Sequence, residues 1–273
     1  MHPPSLSIMK KYSIFLILFG SVIIITIAFL TYSRVDNKIT LDDLRYGEKI
    51  INRRLSSLMI DDYTDEIAFI RHVQQGVLNT AKINKSIPYK TEREPKNLFQ
   101  LKYGLCYDRS RVIEKILAAA GFKTRHVTVF KNPEQMPPIL KIMDPRRHAS
   151  HAVTEVLTRN GWLTVDSNQP FIAVDVDFHP YSIKKIRQYA VTGKTIRWAD
   201  PYREFFDPVF KKDFIYIYGL YSRHGNFYPP YNGFPDINWN EFYQNFTELI
   251  NSPFFSDHTE HPVSGSGEYP ESS

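Results

Sequence analysis

From Tyr12 to Tyr32 the chain reads YSIFLILFGSVIIITIAFLTY, without a single charge. About 20 apolar residues in helical form are enough to cross a bilayer core. This run therefore limits what the rest can be: a domain that folds beside a membrane, on the far end of an apolar helix. Tyr12 and Tyr32 stand at its two ends, where interfacial aromatics belong. The run is too long for the apolar part of a cleaved signal peptide, and no small-x-small cleavage site follows it. Lys10 and Lys11 precede it, while Arg34, Lys38, Arg45 and Lys49 follow. A short basic tail followed by a long domain predicts the N-terminus inside and the domain extracytoplasmic.

The pattern downstream divides the chain into a tail (1–11), the spanning helix (12–32), a stalk or lead-in helix (33–60) and a core (61–195). An aromatic extension packed on the core (196–255) and a disordered tail (256–273) complete it. Ile67, Phe69, Ile70, Val73, Val77 and Leu78 recur at helical intervals, with Asp61, Asp62 and Asp65 at the N-terminal end that a helix dipole favours. The stretch from Trp198 to Phe255 is too aromatic to be disordered and too rich in proline to be regular. It is expected to wrap the core and wall a substrate groove. The net charge is +5, and its lysines and arginines are scattered rather than gathered on one element. That favours a surface near anionic membranes over nucleic-acid recognition. Neither a phosphate-binding glycine loop nor a zinc motif is present in the sequence, so no metal and no cofactor is expected.

One cysteine, Cys106, occurs in the chain. It cannot form an internal disulfide or a thiolate metal site alone. In YGLCYDRSRVIEKILAAAGFKTR an apolar stripe of Val112, Ile113, Ile116, Leu117 and Ala120 follows it, and Gly121 ends the helix. Cys106 thus falls in the first turn of a buried helix, where free N–H groups favour a thiolate. Gly104 permits a tight turn into it. Thr124 to Phe130 reads as a strand. His151 to Asn168, HAVTEVLTRNGWLTVDSN, reads as two strands around Arg159-Asn160-Gly161. Alternation puts His151, Val153 and Glu155 on one face, joined by Trp162, Thr164 and Asp166 if the loop is even. A two-residue Asn-Gly loop sets Asp166 opposite Glu155. A four-residue loop, the one the chemistry favours, is expected to bring it closer to His151.

A thiol nucleophile needs a base, and the base needs a carboxylate to orient it. Cys106, His151 and Asp166 supply these in order. His148 is the rival base, and Asp175 and Asp177 are rival orienters beyond Pro170; His224 has no assigned role. The blocks GLC, a helix ending AAGFKTR, SHAVTEV and GWLTVD resemble the bacterial transglutaminase-like family, which is similar in core architecture to papain-like cysteine peptidases. The resemblance covers the region from Ile67 to Asn168. It implies an α+β fold with a nucleophile helix packed on an antiparallel sheet, and Cys106 as nucleophile, His151 as base and Asp166 as orienter. Val153 stands where members commonly carry Trp, and Ser167 where many have Pro. For the oxyanion hole, the Cys106 N–H is one donor. Gln100, at the offset of the papain-like glutamine, and Tyr103 are candidates for the second.

Two functions follow as expectations. One is amide acyl transfer or hydrolysis through a thioester, on a protein or peptide substrate outside the cytoplasm, with cell-envelope partners. The other is a non-catalytic envelope scaffold that keeps the fold.

Overall fold

The computed structural model describes residues 6–88, 91–131, 150–221 and 236–250, without the side chains of 6–14 and 247–250. His148, His224, the proline-rich loop from 132 onward and the tail 256–273 lie outside the described residues.

Helix α1 (Leu6–Tyr32) carries the apolar run. Its stretch Phe15–Tyr32 has a mean hydropathy of 2.5, none of it buried, and is long and apolar enough to cross a membrane. The chain leaves α1 through a bridge to the short strand pair β5 (Leu220–Tyr221) and β6 (Asp236–Ile237). Ile237 N donates to Ser33 O at 2.6 Å, and Trp239 of α7 (Trp239–Ile250) donates through its indole N–H to Leu30 O at 3.2 Å.

The lead-in helix α2 (Leu41–Ile51) starts at Thr40, whose side chain caps Asp43 N while Asp43 accepts from Thr40 N. It is no free stalk: Ile50 and Ile51 are buried in the core. Helix α3 (Tyr63–Thr80) begins at Asp62 with the same reciprocal cap to Asp65. Its apolar face (Ile67, Ile70, Val73, Val77) is buried as its spacing predicts. A short helix α4 (Pro95–Leu101) leads to the central helix α5 (Cys106–Ala119).

Four antiparallel strands form the main sheet in the order β3–β2–β1–β4. They are β1 (Lys123–Lys131), β2 (Ser150–Thr158), β3 (Gly161–Asp166) and β4 (Phe214–Tyr218). Helix α6 (Ile183–Thr192) follows β3 and buries Ile183 and Ile186. Within the stretch after residue 196, where the sequence predicted irregularity, Phe214–Tyr218 is regular. Its alternating FIYIY run pairs with β1 as an edge strand, because strand periodicity survives among prolines that lie outside it.

Buried ions anchor α5 to the segment that leaves α1. Arg111 donates to the side chain of Asn37, to Asp36 O at 2.7 Å and to Glu94 at 3.1 Å. One helical turn on, Lys115 donates to Lys38 O at 2.7 Å and lies 2.9 Å from Asp43 and 3.1 Å from Glu94. These partners satisfy cations that would otherwise be costly to bury. On the sheet side, Ser110 meets Thr154 of β2 at 2.9 Å. That contact lays α5 along β2 and brings the helix N-terminus to the start of the strand, where His151 stands.

Candidate active site

Cys106 opens α5 at its first helical position and is half-buried. The turn ahead of it is tight for a reason the sequence did not predict. Gly104 does not adopt a positive φ. A Cβ there would instead lie 2.7 Å from Leu98 Cδ1 and 3.0 Å from Asp108 Cβ. Gly104 thus serves close approach rather than an unusual backbone angle. The buried Asp108 then fixes the helix start, accepting from Leu105 N at 2.9 Å and Ile87 N at 3.0 Å, with Arg93 Nε 2.8 Å away. Burial raises the Asp108 pKa even against the pull of Arg93.

The β2–β3 hairpin corrects the expected register. The turn is neither Asn160-Gly161 nor four residues long: Thr158 pairs with Gly161, leaving Arg159 and Asn160 between them. Neither has a positive φ, whereas Gly161 sits at φ 122°. The glycine therefore occupies the left-handed position just after the turn, not its centre. The shift pairs Asp166 with Val153 rather than Glu155, one step from His151 on the same face.

His151 Nε2 lies 3.1 Å from Asp166 Oδ2, and both side chains are buried. The Cys106 sulfur lies near enough to the His151 ring to act on its charge. Burial alone would hold the imidazole neutral, but the Asp166 carboxylate and the Cys106 sulfur raise its pKa well above the ordinary 6.5. Asp166 Oδ1 accepts from Asn168 N at 2.6 Å and Gln169 N at 3.0 Å, which fixes the carboxylate on the turn that follows β3.

Four residues of this neighbourhood escaped the sequence reading. Gln74, fully buried on α3, aims its amide nitrogen at the carbonyls of Asp166 (2.7 Å), Gln169 (3.1 Å) and Phe171 (2.7 Å). Its signal was a glutamine inside a buried apolar stripe. The Asn168 amide lies 3.4 Å from His151 Nδ1. A protonated imidazole donates from both nitrogens, so the orientation that suits it presents Asn168 Oδ1, which otherwise has no hydrogen-bond partner among the described residues. Arg109 is buried one helical turn after Cys106. Asp207 brings a second carboxylate near: one ligand-capable atom each from His151, Asp166 and Asp207 lies within 4.8 Å of the others. Asp175, Asp177 and His179 form a similar group elsewhere. In that group Asp175 accepts from the backbone of Asp177 and His179, and among the described residues neither sequence rival pairs with His151.

Of the oxyanion candidates, Tyr103 is half-buried with the Lys85 ammonium 4.1 Å from its ring centre, while Gln100 is exposed on α4. Phe210, from the aromatic region after residue 196, stands 6.1 Å from the His151 ring.

Residues 53–167 match the model of the transglutaminase-like superfamily. The core of this chain is transglutaminase-like. That stretch holds α3, α4, α5 and the strands that carry His151 and Asp166. Among solved structures, the chain is similar to a cysteine protease candidate from Cytophaga hutchinsonii, at 16% identity and TM-score 0.32, over 51% of this chain and 42% of that one. It is also similar to Rad4-Rad23 bound to a 6-4 photoproduct UV lesion, at 10% identity and TM-score 0.29, over 68% of this chain and 46% of that one. This chain thus spans less than half of either. No curated protein matches the sequence. Among the described residues, the transglutaminase-like core brings Cys106, His151 and Asp166 together and leaves Gln100 on the surface.

Proposed function

We propose that this chain is a membrane-anchored cysteine enzyme that cleaves or transfers amide acyl groups through a thioester on Cys106. The buried His151–Asp166 pair, with the Cys106 sulfur near enough to act on the imidazole, supports this reading. His151 takes the thiol proton as general base, which frees the sulfur as the nucleophile. The sulfur attacks the amide carbon, and the carbonyl electrons move to oxygen, which the Cys106 N–H at the helix start stabilises with Tyr103 or Gln100 as second donor. Collapse breaks the C–N bond, and His151 gives its proton to the departing amine. An incoming amine or water then loses a proton to His151 as it attacks the thioester carbon, and the sulfur leaves as thiolate. Asp166 holds the ring and stabilises the imidazolium throughout.

Helix α1 serves as the anchor, with the N-terminus inside and the domain facing the cell envelope, where a protein or peptide is the substrate. Incubation of the detergent-solubilised chain with a glutamine-containing protein and a fluorescent amine tests the acyl-transfer chemistry. Amine incorporated into the protein, or amide hydrolysed without it, supports the reading and says which acceptor is used. Neither product with any of a broad set of proteins and peptides, from a chain whose Cys106 is intact, counts against it.

A further inference from the structure

Arg109 follows Cys106 by three residues, so the two side chains share one face of α5. Arg109 is almost fully buried, 2% exposed. Every other buried cation of this helix is matched: Arg111 by Glu94, and Lys115 by Asp43 and Glu94. Arg109 forms no ion pair among the described residues. Its one hydrogen bond, to Asn168 O, is long at 3.5 Å, and its Nε is buried with no partner among the described residues. Burial lowers its pKa to about 10 although Asp166 and Cys106 lie near enough to favour its charge. An isolated buried cation costs several kcal/mol or more unless an anion completes it.

Arg109 lines an open groove of about 830 Å³. Asn168, whose amide lies 3.4 Å from His151 Nδ1, lines it too, so the groove comes within one side chain of His151. The remaining wall includes Lys82 and the amides of Gln75 and Asn79, and no carboxylate faces the groove among the described residues.

We infer that this groove binds an anionic group of the substrate, a carboxylate close to the acyl carbon, with Arg109 as its main partner and Lys82 at the rim. This rests on Cys106 being the nucleophile. Arg109 accordingly selects acidic acyl donors and orients them for attack; it takes no proton in the reaction. Its planar, forked donors suit a carboxylate held by two hydrogen bonds.

The test uses the full chain in neutral detergent and the ratio of Cys106 alkylation rates with iodoacetate and with iodoacetamide. The two reagents differ in charge but transfer similar groups, so the ratio reports an anion-binding environment whatever the absolute reactivity of the sulfur. Arg109→Gln is expected to lower the ratio about tenfold, between the water-like and protein-surface limits for a unit charge one helical turn away. Arg109→Lys is expected to restore part of it. Exposed Lys82→Gln, which removes no buried group, is expected to lower it about two- to threefold, and 0.5 M salt to shrink that rim effect. An unchanged ratio in both Arg109→Gln and Lys82→Gln overturns the inference. If Arg109→Gln fails to fold, an unchanged ratio in Lys82→Gln together with no salt dependence overturns it. Failure of the enzyme reading looks different: slow reaction with both reagents and no response to His151→Ala.

Discussion

Replacing Asp166 by Asn keeps the shape of the side chain and removes its charge from a buried imidazole 3.1 Å away. At that separation and an effective dielectric constant near 20, Coulomb's law gives about 5 kcal/mol for the pair. Relaxation and the retained amide dipole reduce this, but the His151 midpoint should still fall clearly. With the carboxylate gone, burial dominates and the variant's His151 titrates below 6.5. Stability then changes with a definite sign. In the natural protein the folded pKa of His151 is raised. The pairing therefore contributes fully below about 6.5, the unfolded value, and the contribution fades as pH rises through the higher folded value. In Asp166→Asn the folded value is depressed, so lowering the pH below 6.5 penalises the folded state. The two proteins should differ most at pH 5 to 6, by about 3–5 kcal/mol as for a broken buried pair, and converge in alkaline solution. Urea unfolding at pH 5.5 and 9 measures this, and NMR of histidine-labelled protein follows the ring directly. A His151 midpoint unmoved by the substitution, or a stability gap equal at both pH values, refutes the reasoning.

Three further outcomes follow from the packing. Gln74→Ala removes the donor shared by three carbonyls around the Asp166 turn; it should cost about 1–3 kcal/mol in urea unfolding and slow Cys106 alkylation. Gly104→Ala drives a Cβ against Leu98 and Asp108, so a loss of about 1–3 kcal/mol is expected from overpacking, read as a lower thermal midpoint. Arg111→Ala takes away one of the two cations paired with Glu94, leaving Lys115, and the cation beside Glu114, together with the bonds to residues 36 and 37; it should destabilise by about 3–5 kcal/mol, with faster hydrogen exchange in residues 36–43.

Much of this arrangement is legible in the sequence because it depends on local periodicity. The stripe after Cys106 defines a helix that starts at the cysteine, and alternation with an even loop places His151 and Asp166 on one face. The register was misjudged because Asn160-Gly161 satisfies two hairpin geometries; only the backbone shows that the glycine follows the turn rather than centring it. Gln74, Asn168 and Arg109 were not legible as site residues, since each acts on a partner far along the chain or at the end of another element. Each nonetheless leaves a trace: a polar group where burial leaves little room for one. The aromatic stretch misled for the opposite reason, because its prolines obscured the alternation of β4.

The central claim, that His151 activates Cys106, is tested most directly by the rate of Cys106 alkylation with iodoacetamide at pH 6, compared between the natural protein, His151→Ala and free cysteine. The predicted result is a natural protein that reacts much faster than free cysteine, with that advantage lost in His151→Ala. Equal rates for all three would contradict it.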